Sequence, residues 1–174
     1  MCMRRLPLLL VLLAACQADP ARRGAEAAAA WFPTAGGDST RIVARDSMVA
    51  VLFITAECPT CRVGASRYAG LREGFGRAGA AYRLVLGNGG LAAAQYARLI
   101  GAPGLVVLDS ARNLFEAFRV REIPTLVLLD RAGREQQRLA PFRSAEMDHV
   151  IMVSPAPASG APVLQSPTSF PVRR

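Results

Sequence analysis

The chain of 174 residues is long enough for one domain of ordinary size with flanking segments, and its 52% hydrophobic content can supply a sizeable core. Its formal charge of +8 comes from 21 basic residues, all of them arginine, against 13 acidic ones, a balance suited to anionic headgroups or acidic partners. No arginine run is interleaved with aromatic residues, which argues against nucleic acid as a partner.

Residues 1–15 read as a signal peptide. Arg4 and Arg5 precede an apolar stretch, residues 6–15, that is too short to span a bilayer as a permanent helix. The stretch ends in Leu13-Ala14-Ala15-Cys16, which resembles a bacterial lipobox. The resemblance implies cleavage before Cys16 and its acylation, leaving an N-terminus anchored by lipid on the extracytoplasmic (periplasmic) side of a bacterial membrane. The plainer alternative is an ordinary signal peptide with Cys16 incidental. Residues 16–39, rich in Ala, Arg, Pro and Gly, read as a tether between lipid and domain, within which residues 25–32 can form a helical turn or two. Trp31 and Phe32 are left either to pack on the domain or to lie at the headgroups.

The domain is expected over residues 40–152. Residues 41–44 suit a short strand and 45–47 a turn. Residues 48–56 are apolar and rich in β-branched and aromatic side chains, the pattern of a buried strand. That strand delivers Cys58-Pro59-Thr60-Cys61 to a helix reaching about Gly76. Cys58 then faces the unpaired N–H groups and positive end of the helix, which favour thiolate over thiol. Pro59 falls on the first helical position, where its missing N–H costs nothing. Cys61, one turn further in, can attack a mixed disulfide formed at Cys58 and release the partner. Downstream, residues 81–86 read as a strand closed by Gly87-Asn88-Gly89-Gly90. Residues 91–100 read as a helix with Leu91, Ala94 and Leu99 on its apolar face and Tyr96 and Ile100 beside them. Residues 105–109 are extended, and Ser110 is the expected N-cap of a helix over 111–118. Residues 124–129 form a buried strand, Asp130-Arg131-Ala132-Gly133 a hairpin turn, and 135–140 the partner strand. A last helix is expected over 144–152, and residues 153–174, dominated by Pro, Ala, Ser and Gly, read as a disordered tail.

Strands alternating with helices and closing on a hairpin argue an α/β fold, a mixed central sheet flanked by helices. This order, with a C-x-x-C after an early strand, resembles the thioredoxin fold across residues 40–152. Val120-Arg121-Glu122-Ile123-Pro124-Thr125-Leu126 resembles the thioredoxin segment that carries a cis-proline. The resemblance implies that Pro124 packs beside the cysteine pair and that the Ile123 backbone pairs with substrate, with Pro59 and Thr60 completing the substrate contacts. The helical stretch near 109–118 and the turn at Asp130 look like the membrane-tethered, TlpA-like branch of that superfamily. Two positions depart from cytosolic thioredoxins: Glu57 stands where they carry Trp, and Leu52 aligns with their buried proton-transfer acid.

A structural zinc needs about four ligands, and after processing only Cys16, Cys58, Cys61 and the lone His149 are on offer. A purely structural bridge across two residues would close a very short loop and remove little chain entropy. The expected function is therefore a thiol–disulfide oxidoreductase, with Cys58 as nucleophile and Cys61 as resolving thiol. It needs no cofactor and no metal, because the electrons reside on the sulfurs of a redox-active dithiol. Expected partners are exported proteins with cysteine pairs and a membrane protein that donates or accepts electrons. Ile123 before Pro124 resembles reductive thioredoxins and points toward a reductase. The rival reading is a copper-binding or chaperone-like lipoprotein without turnover, since two thiolates can hold Cu(I). Relatives of that kind usually add a His partner, and His149 lies outside any such motif.

Overall fold

A strand with no polar face has to be covered on both sides, and residues 49–55 meet that demand at the centre of the molecule. The computed structural model describes residues 19–44, 46–88 and 91–143. In chain order its elements are helix α1 (Pro20–Ala29), strands β1 (Trp31–Pro33), β2 (Ser39–Arg41) and β3 (Val49–Thr55), helices α2 (Pro59–Val63) and α3 (Ala65–Arg77), strand β4 (Ala81–Gly87) and helix α4 (Leu91–Ile100). A 3₁₀ turn (Pro103–Leu105), strand β5 (Val106–Asp109), helix α5 (Asn113–Ala117) and the hairpin β6 (Thr125–Leu129) and β7 (Glu135–Leu139) follow. The main sheet has the order β5-β4-β3-β6-β7, with β4 parallel to both β3 and β5, and β6 antiparallel to both β3 and β7. It is the mixed α/β sheet expected from the sequence.

All seven residues of β3 are buried, and alternate residues serve different layers. Ala50, Leu52 and Ile54 join a core formed with α3 (Tyr68, Leu71, Phe75), α4 (Ala93, Tyr96, Ala97, Ile100) and both cysteines. Val49, Val51 and Phe53 join a second core with Ala28, Phe32 and the aromatic residues Phe115 and Phe118. Phe53 meets Phe115 edge-on, with ring centroids 5.2 Å apart.

Several expectations need correction. From Asp19 onward, residues expected to form a tether belong to the folded domain, which does not begin at Thr40. Asp19 caps α1 by accepting the Ala21 N–H (3.0 Å), and Pro20 occupies the first turn. Ala28 is fully buried, and its carbonyl accepts the N–H groups of Ile42 and Val43, each at 3.1 Å. Strands β1 and β2 pair with each other, and Thr34 bridges to Val107 of β5. The tether pattern misled because Ala and Gly are small enough to let α1 approach closely: an added Cβ on Gly24 would stand 3.2 Å from the Phe118 ring. Trp31 is exposed, with the Arg41 guanidinium 4.6 Å above its ring.

The helix after the cysteines is also not continuous. It breaks at Gly64, where a Cβ would lie 2.7 Å from the buried Tyr68 ring. On α4 the buried face is Ala93, Tyr96, Ala97 and Ile100, whereas Ala94 and Leu99 are exposed. Asp109, not Ser110, caps α5, its buried carboxylate accepting the N–H groups of Leu114 and Phe115 at 3.0 Å each. The expected helix over 144–152, with His149, the tail over 153–174, and Cys16 lie outside the described residues.

Candidate active site

The cysteine pair sits where β3 hands over to α2. The Cys58 N–H donates to the Thr55 carbonyl (3.3 Å), which turns the chain off the strand end. Cys58 is extended (φ −71°, ψ 111°) and is the N-cap of α2, with Pro59 in the first helical turn as expected. Its Sγ accepts the Cys61 N–H at 3.1 Å, so an otherwise unpaired helix-end donor is directed onto that sulfur. The two cysteines are joined in a disulfide, their Cα atoms 5.2 Å apart. Cys61 is fully buried, while Cys58 keeps 9% of its surface exposed between the exposed residues Glu57, Pro59 and Thr60. Of the two cysteines, only Cys58 therefore keeps any surface open to an incoming partner.

The helix that carries Cys61 is held from below by a residue that motif reading did not single out. Because the helix breaks at Gly64, the Cys61 carbonyl is an end group in need of a donor. The Tyr96 hydroxyl on α4 supplies it, donating at 2.5 Å. Burial, and secondarily the neighbouring Tyr68, push the Tyr96 phenol well above its ordinary range, so it remains a proton donor. The sequence showed Tyr96 only as part of an apolar helix face. Leu52, at the position of thioredoxin's buried acid, is fully buried and pairs across the sheet with Leu84 and Leu126, so the floor there is aliphatic. Among the described residues the only buried carboxylate is Asp109, which is occupied in capping α5. Glu57 is exposed and accepts a hydrogen bond from the Asn88 side chain at 3.3 Å, which ties the strand end to the loop after β4.

The Ile123–Pro124 peptide bond is cis, as the segment's resemblance implied. The antiparallel register Phe53↔Thr125 puts the start of β6 at the end of β3 from which the cysteines issue. Pro124 is buried, and its carbonyl accepts the Phe142 N–H at 2.6 Å. Ile123 is half-buried against the core cluster that contains Cys58 and Cys61. Cys58, Pro59, Thr60, Cys61, Ile123 and Pro124 are thus brought to one end of the sheet. No group of three or more His, Cys, Asp or Glu side chains able to hold a metal occurs among the described residues.

No family model and no curated protein matches the chain. Solved structures do. A secreted disulfide oxidoreductase of Mycobacterium tuberculosis, described as homologous to Escherichia coli DsbE, superposes with a TM-score of 0.59 at 13% identity, covering 73% of this chain and 97% of its own. The chain has the thioredoxin fold. The exposed lipoprotein thioredoxin of Streptococcus pneumoniae (TM-score 0.58, 17% identity, 71% and 97% covered) shares that thioredoxin fold. So does the N-terminal domain of PilB from Neisseria gonorrhoeae (TM-score 0.61, 16% identity, 76% and 93% covered). At these identities the likeness establishes the architecture, and the chemistry has to be read from the site.

Proposed function

We propose that this protein is an extracytoplasmic thiol–disulfide oxidoreductase, anchored by lipid at Cys16, that reduces cysteine pairs of exported proteins. The observation that carries the reading is the Cys58 sulfur, capping a helix, bonded to a buried Cys61 and receiving its N–H. A donor aimed at sulfur stabilises negative charge there, which is what an attacking thiolate needs. In the reduced protein the Cys58 thiolate attacks one sulfur of the substrate disulfide. The S–S bond breaks, one substrate sulfur leaves as thiolate, and a mixed disulfide joins Cys58 to the other. The Cys61 thiolate then attacks the Cys58 sulfur, forming the Cys58–Cys61 bond and expelling the second substrate thiolate. Two electrons pass to the substrate, whose two thiolates take up two protons, and no cofactor is needed. A membrane protein of the same chemistry would restore the dithiol. Pro59, Thr60, Ile123 and Pro124, at the same end of the sheet as Cys58, would serve as substrate contacts.

The setting is supported by the N-terminal sequence pattern and by two fold neighbours, one a secreted protein and one an exposed lipoprotein. Among the described residues no helix is long and apolar enough to cross a membrane. The deciding measurement is the Cys58–Cys61 potential, by equilibration in glutathione and dithiothreitol buffers free of zinc and copper. A value of about −270 mV supports the reductase, whereas one of about −120 mV makes the protein an oxidant. Absence of any reversible dithiol–disulfide equilibrium, with tight Cu(I) binding, would replace the proposal by a metal-binding role.

A further inference from the structure

Three large apolar side chains are markedly exposed among the described residues: Trp31, Val63 and Leu99. Trp31 is covered on one face by Arg41. The other two come together. Val63, 87% exposed, ends α2, and Leu99, 62% exposed, lies on α4 away from that helix's buried face. With Pro59 and Arg62 they line one open groove of about 440 Å³. Neither side chain is needed for the core, since Ala93, Tyr96, Ala97 and Ile100 already anchor α4.

We propose that this groove is the docking surface for the chain segment beside a substrate's disulfide, and that it selects an aliphatic side chain accompanied by a carboxylate. The proposal rests on the oxidoreductase reading and names the substrate class of that site. Continuity argues for this occupant. Pro59 is bonded to Cys58, so the groove begins where the mixed disulfide would form. Charge argues for the carboxylate: α2 and α4 carry Arg62 and Arg98 and no acidic residue, and Arg62 lines the groove itself. Glu57, the nearest acid along the chain, lies on the other side of Cys58 and is tied to Asn88. Charge also disfavours a second copy of the chain as occupant, because a two-fold contact over this surface would set Arg62 against Arg62.

The test uses the reduced full-length protein and three disulfide probes. One is a ten-residue peptide disulfide with Leu and Glu beside its cysteines, the second is the same peptide with Ser and Gln there, and the third is the small neutral hydroxyethyl disulfide. The rate constant for the Leu/Glu peptide should exceed that for the Ser/Gln peptide by about tenfold, the scale of one partly buried leucine contact. The Val63→Ser/Leu99→Ser double variant should lower the ratio of the Leu/Glu peptide rate to the hydroxyethyl disulfide rate by a similar factor. Arg62→Gln should lower the ratio of the Leu/Glu peptide rate to the Ser/Gln peptide rate, because the guanidinium that favours the carboxylate is gone. Equal rates for the two peptides on the unaltered protein would overturn the groove assignment while leaving the oxidoreductase reading intact. No exchange even with hydroxyethyl disulfide would overturn the oxidoreductase reading, and the groove assignment with it.

Discussion

Burial divides the labour between two chemically identical residues. Cys58 retains surface and Cys61 has none, although both belong to one four-residue motif. Cys58→Ser is expected to abolish exchange with any disulfide. Cys61→Ser should still attack a substrate disulfide through Cys58 but halt as a mixed disulfide, detected as a mass adduct on the intact protein; an unhindered Cys61→Ser enzyme would contradict the assigned roles. Tyr96 shows how a residue outside the motif supports it. Tyr96→Phe leaves the Cys61 carbonyl without its donor, a loss of about 1–2 kcal/mol on the scale of an unmade buried hydrogen bond. The same residue supplies a pH test. Burial, and secondarily their neighbouring tyrosines, raise the phenols of Tyr82 and Tyr96 above the ordinary value, so the folded state favours the protonated form. Their stabilisation is complete below about pH 10 and is lost as pH rises above it. Denaturant titrations should show stability falling on that alkaline limb, with a shallower slope in Tyr96→Phe.

Single carboxylates decide two of the elements. Asp109 holds both Leu114 and Phe115 N–H groups and thereby fixes α5, whose Phe115 and Leu114 fill one of the two cores. Asp109→Ala is expected to cost about 2–3 kcal/mol, since two buried donors lose their partner at once; a change in unfolding free energy below about half that would mean water replaces the carboxylate. Asp130 builds the β6–β7 turn by accepting the N–H groups of Ala132 (2.8 Å) and Arg134 (2.9 Å), and its other oxygen pairs with the Arg134 guanidinium at 2.9 Å. Burial alone would raise this carboxyl, but the hydrogen bonds from Arg134 and Ala132 and the charge of Arg134 outweigh it and lower the pKa. The stabilisation is therefore present above about pH 4 and disappears as pH falls through the native value. Asp130→Asn keeps an acceptor for the turn but loses the ion pair, so it should cost about 0.5 kcal/mol near neutrality. The gap between the two proteins should close in acid. A gap independent of pH would show that the turn, not the charge, matters.

At the scale of the molecule, the two cores depend on pieces distant in sequence. Ala28 and Phe32 come from the first described elements and pack against Phe53, Phe115 and Phe118. A chain beginning at Thr40 would strip Ala28 and Phe32 from that core and remove the acceptor of the Ile42 and Val43 N–H groups. Such a truncation is expected to lose its cooperative thermal transition, followed by circular dichroism, while a chain beginning at Ala18 keeps it. With α1 starting at Pro20, only a few residues separate Cys16 from the folded domain, so a lipid at Cys16 would hold the thioredoxin fold close against the bilayer rather than at the end of a long tether.

Local pattern carried the sheet and the cysteine motif. A strand buried on both faces reads as an unbroken apolar run, a C-x-x-C after it meets a helix N-terminus, and Asp-x-x-Gly between two strands makes a turn, all because neighbours in sequence supply the physics. The Ile123-Pro124-Thr125 segment was legible by resemblance. What local pattern could not decide was which of several similar residues would face inward. In α1, Gly24 and Ala28 are core residues only because the Phe118 ring and the N–H groups of Ile42 and Val43, just after β2, reach them. Leu99 is more apolar than Ala97 yet stays outside, because the position of α4 on the sheet, not side-chain hydrophobicity, fixes its buried stripe. Asp109 outcompetes Ser110 as a cap because a buried carboxylate can hold two donors where the exposed hydroxyl holds neither. The chemistry of the two sulfurs was written in sequence; their unequal access, the tyrosine beneath them and the groove beside them were decided by packing.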